Sequence, residues 1–137
     1  MPHETHSSIH SLIGIAEHVL ILASPAKYID EIDQMAKRYQ VSTNAQTIPT
    51  ELFDFIFIFL RNKSDLVEYA AAAISVLDKE GSLWFGYPTS QSSYPSDITI
   101  NEGWEVLNDA GWESVSNLSI DSTWDAKNFA RKTIYRH

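Results

Sequence analysis

Several side chains able to bind a small ligand follow directly after apolar segments of the chain. Arg61 can pair with a carboxylate or a phosphate, and Tyr87 can stack on a planar ring. The chain shows neither the paired carboxylates nor the nucleophile and base of familiar catalytic sites, so no catalytic residue is assigned. The spacing instead predicts a ligand-binding site formed by Arg61, Asn62, Tyr87, Pro88, Thr89 and Asp97.

Each of these residues also has an ordinary structural interpretation. Asn62 suits a helix cap, Tyr87-Pro88 a rigid exit from a strand, and Asp97 the first turn of a helix. Caps and turns use such groups in every class of protein, whether or not a ligand is bound. The sequence therefore leaves both interpretations of the set open.

Ser24 and Trp124 extend the candidate site. Ser24 stands at a predicted strand-to-helix turn, where esterases carry a nucleophile in a G-x-S-x-G motif. Both flanking glycines are absent here, so we expect Ser24 to cap the helix and border the site. Trp124 follows a polar turn at Asp121, where it can line a pocket or an interface.

Composition argues against several other classes of function. The chain has 137 residues, no cysteine, and 18 acidic against 10 basic residues, giving a net charge of −8. Such a surface repels nucleic acid and anionic lipid, so neither is an expected partner. His3, His6 and His10 have helical spacing, but no second group of ligands accompanies them, and we predict neither a metal nor a cofactor.

Residues 52–88 form one strand–helix–strand unit that would position these side chains. Leu52–Leu60 and Leu83–Tyr87 are apolar runs typical of parallel strands buried on both faces. The alanine-rich segment between them predicts a helix capped by Asn62 or Ser64. We expect this helix to end near Lys79 and to be closed by a left-handed glycine at position 81. The carboxyl ends of parallel strands share one edge, which would gather the polar residues there.

Two shorter helices are predicted on either side of this unit. The first begins at Ser24-Pro25 and buries a stripe that includes Tyr28 and Ile29. The other opens at the capping-box pattern Thr99-x-x-Glu102 and runs to about residue 110, where Gly111 stops it.

The remaining strand patterns complete the fold class. The last two of them join tightly and predict an antiparallel hairpin at the edge of the sheet. We therefore expect a three-layer Rossmann-like α/β sandwich with a mostly parallel sheet of five or six strands. The segments are His18–Ala23, Gln40–Gln46, Trp112–Asp121 and Thr123–Tyr135.

This order of elements resembles the second half of class I methyltransferases that use S-adenosylmethionine. Their F-D-x-I-x-x-F strand, K-x-G turn and closing hairpin match Phe53–Phe59, Lys79–Tyr87 and Trp112–Arg131. The resemblance is closer to a group of small, uncharacterised bacterial proteins that look like shortened methyltransferases. The matching features of this chain are Phe55–Arg61, the G-x-L-W-x-x-Y-P segment Gly81–Pro88, Asp97, and the D-x-T-W segment Asp121–Trp124 followed by Phe129 and Arg131. The chain differs at Thr89, where those proteins often have lysine.

The resemblance fails at two positions that matter for methyl transfer. Methyltransferases of this kind hold their cofactor over a glycine-rich turn after the first strand, whereas the turn at 22–26 has no glycine, and Pro25 also lacks an amide donor. Their second strand ends in an acidic residue, but the segment at 41–45 does not. We therefore predict a non-catalytic module that binds a ligand or partner. The alternative is a divergent methyltransferase, or another small enzyme acting on an anionic ligand.

The chain length predicts one domain spanning residues 1–137, with residues 1–12 as a flexible tail. Residues 1–10 do not resemble a signal peptide, and no apolar run is long enough to span a bilayer, so a cytoplasmic location is expected. The partner is an unidentified small molecule or protein. An exposed edge strand could also pair with a second copy, giving a homodimer.

Overall fold

The computed structural model describes residues 9–14, 16–43, 52–89 and 96–132. Within these ranges one six-stranded sheet is flanked by short and long helices. The strands are β1 (His18–Leu22), β2 (Gln40–Ser42), β3 (Phe53–Phe59), β4 (Leu77–Pro88), β5 (Trp112–Ser119) and β6 (Trp124–Arg131). The helices are α1 (Ile9–Ile13), α2 (Ile29–Met35), α3 (Lys63–Ser75) and α4 (Glu105–Asp109), with a 3-10 turn at Ala26–Tyr28 before α2. Among the described residues, no helix has the length and apolarity needed to span a membrane.

The sheet has the strand order β2-β1-β3-β4-β6-β5. The strands β1, β2, β3 and β4 are parallel to one another, while β6 runs antiparallel to β4 and β5 antiparallel to β6. This confirms the predicted mostly parallel sheet with an antiparallel hairpin at its end. The strands β2 and β5 are the two edges of the sheet.

Strand β3 lies at the centre because both of its faces are apolar. Phe55, Phe57 and Phe59 pack on the side of α1 and α2, whereas Ile56 and Ile58 pack on the side of α3 and α4. All five side chains are fully buried. The predicted three-layer sandwich is therefore present, with one hydrophobic cluster on each face of the sheet.

The connection from α3 to β4 differs from the prediction. The helix ends at Ser75, and β4 begins at Leu77, so Gly81 lies within the strand and does not close the helix. Leu77 pairs with Phe53 and Ser82 pairs with Phe55, which leaves the residues between them looped out. A Cβ at position 81 would lie 3.2 Å from the Cα of Asp54, so close backbone approach accounts for the glycine.

The two shorter helices also differ from their predictions. Ser24 does not cap the first helix, because its hydroxyl donates to the carbonyl of Pro25 at 3.1 Å. Ile29 is 54% exposed, so the buried stripe contains Tyr28 and Met35 but not this residue. The helix α2 begins one turn later than predicted, after the 3-10 turn at Ala26–Tyr28.

The helix predicted from Thr99 forms only at Glu105. The hydroxyl of Thr99 accepts from the amide of Glu102 at 3.1 Å, as a capping box requires, but the amide of Thr99 donates to the carbonyl of Glu102 and closes the chain into a turn. Gly103, with φ of +100°, interrupts the helical path. Gly111 ends α4 with φ of +97°, as the sequence predicts for a stop signal.

The helix α1 begins within the segment predicted to be a flexible tail. Its residues Ile9 and Ile13 are buried against the sheet. His3 and His6 lie outside the described residues, as does the end of the predicted second strand at residues 44–46. In the described ranges, no group of three or more histidine, aspartate and glutamate side chains is placed to hold a metal ion.

Candidate functional site

The carboxyl ends of β1, β3 and β4 meet at one edge of the sheet, which we call the carboxyl edge. Ser24 follows β1, Arg61 follows β3, and Thr89 follows β4. Because β1 and β3 are paired directly, the loops that carry Ser24 and Arg61 are neighbours. Ligands of open α/β sheets bind in crevices outside these strand ends, so this edge is the candidate site.

Ala23 adopts an unusual backbone conformation in the turn after β1. Its φ is +59°, and it is the one residue other than glycine with a positive φ in the described part of the chain. The left-handed conformation costs an L-residue roughly 1–2 kcal/mol, because Cβ crowds the following carbonyl. The sequence shows no glycine in this turn, yet the backbone takes a shape that glycine usually supplies. Alanine carries no sequence signal for this conformation, so the role of Ala23 could not be predicted.

Arg61 lies across this turn. One guanidinium nitrogen, Nη1, donates to the carbonyl of Ala23 over a long 3.5 Å, and the side chain is exposed. Its backbone amide donates to Oδ2 of Asp65 at 2.8 Å, which fixes the main chain at the start of α3. Within the described ranges the guanidinium forms no salt bridge. The structure thus brings Arg61 next to Ala23 and Ser24, as the predicted site requires.

The first amides of α3 are occupied by the protein's own side chains. Oδ1 of Asn62 accepts from the amide of Asp65 at 2.9 Å, which confirms Asn62 as the cap. Asp97 was expected in the first turn of the following helix, but its Oδ1 accepts from the amide of Lys63 at 2.8 Å. Asp97 therefore lies at the same helix end as Asn62 and close to Arg61.

Thr89 lies further along the carboxyl edge, beside the β5–β6 turn. Its hydroxyl donates to the carbonyl of Ser122 at 3.0 Å, and its amide donates to the carbonyl of Thr123 at 2.8 Å. These two bonds extend the pairing of β4 with β6 beyond the end of the strand. In this structure Thr89 joins the hairpin to β4.

Tyr87 and Trp124 lie in the core, on opposite faces of the sheet. Tyr87 packs edge-on against Trp104 on the α3 and α4 face, and its hydroxyl donates to Oδ1 of Asn117 at 3.2 Å. Burial, with a smaller contribution from nearby Asp125, raises the pKa of the Tyr87 phenol. Each of the two side chains is 1% exposed, so neither presents an open ring at the carboxyl edge. The structure does not bring them together with Arg61.

Trp124 instead contributes to an aromatic group on the other face. Its ring meets Phe59 edge-on at 5.2 Å between centroids, and Tyr28 stacks on Phe59 at 5.3 Å. This group fills the space directly beneath the carboxyl edge on the side of α1 and α2. These aromatic rings belong to the hydrophobic core under the carboxyl edge.

A charged cluster that the sequence analysis did not identify joins the β5–β6 turn to the segment after β1. Asp121 accepts hydrogen bonds from the hydroxyl of Tyr28 and from Nζ of Lys27, the latter at 2.9 Å. Its other carboxylate oxygen accepts from the amides of Thr123 and Trp124, at 2.8 and 2.9 Å. Those two amide bonds agree with the turn-forming role expected of Asp121. Its contact with Tyr28 spans 93 positions, which no local pattern could indicate.

The ionisation of this cluster follows from its contacts. Partial burial alone would raise the pKa of Asp121, but hydrogen bonds from Tyr28, Lys27 and the two amides outweigh it and lower that pKa to about 2. Burial, followed by the bond to Asp121, raises the pKa of the Tyr28 phenol above its ordinary value. At neutral pH the carboxylate is charged and the phenol keeps its proton.

Two cavities of about 360 Å³ each lie at the opposite, amino edge of the sheet. One is lined by Asp54, Asp78 and Glu80, and the other by Lys79, Arg131 and part of Trp112. Both are open clefts beside the looped-out start of β4. They contain none of the residues predicted for the site, because those residues follow the strands at the other edge.

The fold resembles that of solved methyltransferases. An N-methyltransferase, NodS, from Bradyrhizobium japonicum superposes with a TM-score of 0.54 at 14% identity, covering 86% of this chain and 87% of that one. A putative type 11 methyltransferase from Sulfolobus solfataricus gives 0.56 at 9% identity, covering 88% of each chain. A DhpI–SAH complex gives 0.53 at 14% identity, covering 85% of this chain and 77% of that one.

The chain has the fold of the class I S-adenosylmethionine-dependent methyltransferases. This confirms the predicted methyltransferase-like architecture over most of the chain. No family model matches the sequence, and no curated protein matches it. At identities this low the likeness concerns the fold, and the activity has to be argued from the site.

Proposed function

We propose that this protein is a divergent methyltransferase-type protein that binds S-adenosylmethionine or S-adenosylhomocysteine at the carboxyl edge. The ligand would lie over the turn after β1, between Ala23 and Arg61. This is the alternative that the sequence analysis left open. We favour it over a module that does not bind this cofactor, because of one observation in the turn after β1.

The observation that carries the proposal is the left-handed conformation of Ala23. Strained backbone persists where the surrounding structure enforces it, and it is concentrated at ligand-binding and catalytic sites. A glycine at this position would avoid the strain, and the absence of glycine was the main argument against a nucleoside here. Because Ala23 has φ of +59°, the turn keeps a glycine-like course without the glycine. The fold supports the same proposal, since one structural neighbour is a complex with S-adenosylhomocysteine.

A binding module without methyl transfer is the second candidate. Pro25 has no amide to offer a ligand, and no acidic residue occurs in β2 or at Thr43 after it to accept ribose hydroxyls. Such a module would bind another small molecule or a protein, including a second copy of the chain through an edge strand. This candidate predicts no affinity for either adenosyl compound.

Calorimetric titration with S-adenosylmethionine and S-adenosylhomocysteine tests the proposal. We expect micromolar binding to the native chain and loss of binding in Ser24→Phe, because the new ring would fill the space beside Ala23. The matched control is Ser82→Phe, which places the same ring at the exposed amino edge and should leave binding intact. Circular dichroism would establish that both variants fold. Absence of binding to the native chain, or equal effects of the two variants, would refute the proposal.

A further inference from the structure

Among the described residues of the carboxyl edge, Arg61 is the basic residue whose side chain has no acidic partner. Three basic side chains lie there: Lys27 pairs with Asp121 at 2.9 Å, and Lys63 approaches Glu105 at 3.9 Å. Arg61 has five donors, and in the described part of the chain its guanidinium makes one contact, of 3.5 Å, to a neutral carbonyl. An exposed guanidinium held over a strained turn is suited to receive an acceptor from outside the protein.

Three of the backbone amides at and just after Arg61 are not available to a ligand. Helix N-termini commonly bind phosphate through free amides. At the start of α3, however, the amides of Arg61, Lys63 and Asp65 already donate to Asp65, Asp97 and Asn62. A phosphate would find no free donor among these amides and would meet two carboxylates nearby. This helix end therefore disfavours a phosphate.

A carboxylate needs fewer hydrogen-bond donors than a phosphate at this position. It carries one charge, and its two oxygens match the planar fork of a guanidinium without any contribution from helix amides. The nearby carboxylates of Asp65 and Asp97 repel a single charge less than a doubly charged phosphate. The donors that remain at this edge thus suit a carboxylate.

We infer that Arg61 selects ligands with a carboxylate, so that the site takes an adenosyl amino acid and rejects nucleotides. This inference rests on the proposed function and specifies which part of the ligand the chain recognises. Arg61 would exchange its long contact with the Ala23 carbonyl for a paired contact with the ligand. It is a specificity residue and takes no part in bond formation.

The test compares ligands that differ in one group. S-Adenosylhomocysteine and its decarboxylated analogue would be titrated into the native chain, Arg61→Ala, Arg61→Lys and Lys79→Ala. Lys79 is an exposed cation at the amino edge and controls for the change in net charge. Adenosine and adenosine 5′-monophosphate would be titrated into the native chain to measure the effect of a phosphate.

We expect the native chain to prefer S-adenosylhomocysteine over the decarboxylated analogue by roughly tenfold, the usual value of one charged hydrogen-bonded pair. The preference should disappear in Arg61→Ala, be reduced in Arg61→Lys, and remain in Lys79→Ala. Adenosine 5′-monophosphate should bind no more tightly than adenosine.

Two results would overturn the inference and leave the proposed function intact. One is an equal loss of both adenosyl ligands in Arg61→Ala, and the other is tighter binding of the monophosphate than of adenosine. If the native chain binds no adenosyl compound, the proposed function fails and the inference fails with it.

Discussion

Strand β1 is bounded by two residues with left-handed backbone, and the two differ in type. Gly14, before the strand, has φ of +64°, and a Cβ there would meet nothing within 4 Å. Ala23, after the strand, has φ of +59°. Glycine takes this conformation without strain, whereas alanine does not. The amino edge thus has the residue that its backbone favours, and the carboxyl edge has one that its backbone does not favour.

The acidic side chains at the two edges show a similar contrast. Asp54, at the amino edge, accepts from the amides of Glu17 and His18 at 2.9–3.1 Å and fixes the entry into β1. Asp121, at the carboxyl edge, binds two amides and also two side chains from the segment after β1. The contacts of Asp54 span 36 and 37 positions and involve backbone amides alone, whereas Asp121 also binds a side chain that lies 93 positions away. The backbone strain at Ala23 and the Arg61 guanidinium, which has no acidic partner among the described residues, both lie at the carboxyl edge.

The largest expected effect comes from removing the carboxylate that joins distant segments. Asp121→Ala should lower the free energy of unfolding by about 3 kcal/mol, because it leaves the Tyr28 hydroxyl and two amides without an acceptor. Asp54→Ala should cost less, about 1–2 kcal/mol, because the released Glu17 amide can reach water and only the His18 amide is partly buried. Urea denaturation of both variants measures the difference. An equal cost for the two would show that the contact with Tyr28 contributes nothing.

Acid should weaken the stabilisation that the contacts of Asp121 provide. The pKa of Asp121 is about 2 in the folded protein against an ordinary value of 3.8, so the unfolded chain takes up the proton first as pH falls. The stabilisation from Asp121 is therefore complete above about pH 5 and is lost as pH falls from about 4 to 2. We expect the native chain to lose about 2 kcal/mol more than Asp121→Asn over this interval. Parallel pH profiles of the two proteins would contradict the assignment.

The smallest effects concern the two left-handed residues, and they should have opposite signs. Gly14→Ala should destabilise the protein by roughly 1 kcal/mol, because the open surroundings leave backbone strain as the main cost. Ala23→Gly should stabilise it by roughly 0.5–1 kcal/mol, since the strain relieved exceeds the entropy that glycine loses on folding. Thermal unfolding of the two variants measures both changes. Destabilisation by Ala23→Gly would argue that the alanine methyl group packs usefully in the turn.

The parts of the fold that sequence could predict are those with strong local patterns. The apolar run of β3, the cap at Asn62 and the terminal hairpin each depend on neighbouring residues, and all three are present. The edge that collects Arg61, Asn62 and Asp97 also followed from the parallel pairing of β3 and β4. Local signals and sheet topology were sufficient for this much of the candidate site.

The predictions were wrong where a residue contacts a part of the chain that its local sequence pattern does not indicate. Gly81 resembles a helix stop but allows the close approach of Asp54, and Asp97 resembles a helix start but caps a different helix. Tyr87 and Trp124 flank polar turns, yet they are buried because the sheet needs apolar cover on both faces. The positive φ of Ala23 is imposed by the turn around it, so composition could not reveal it.

The bond between Tyr28 and Asp121 has a consequence for how the protein is made. A ribosome releases residue 28 long before residue 121, so the aromatic group around Phe59 remains open until Trp124 and Asp121 emerge. Nascent chains that stop before the hairpin would expose these rings to water and to chaperones. The segment around Tyr28 reaches its final contacts only after the segment around Asp121 has been translated.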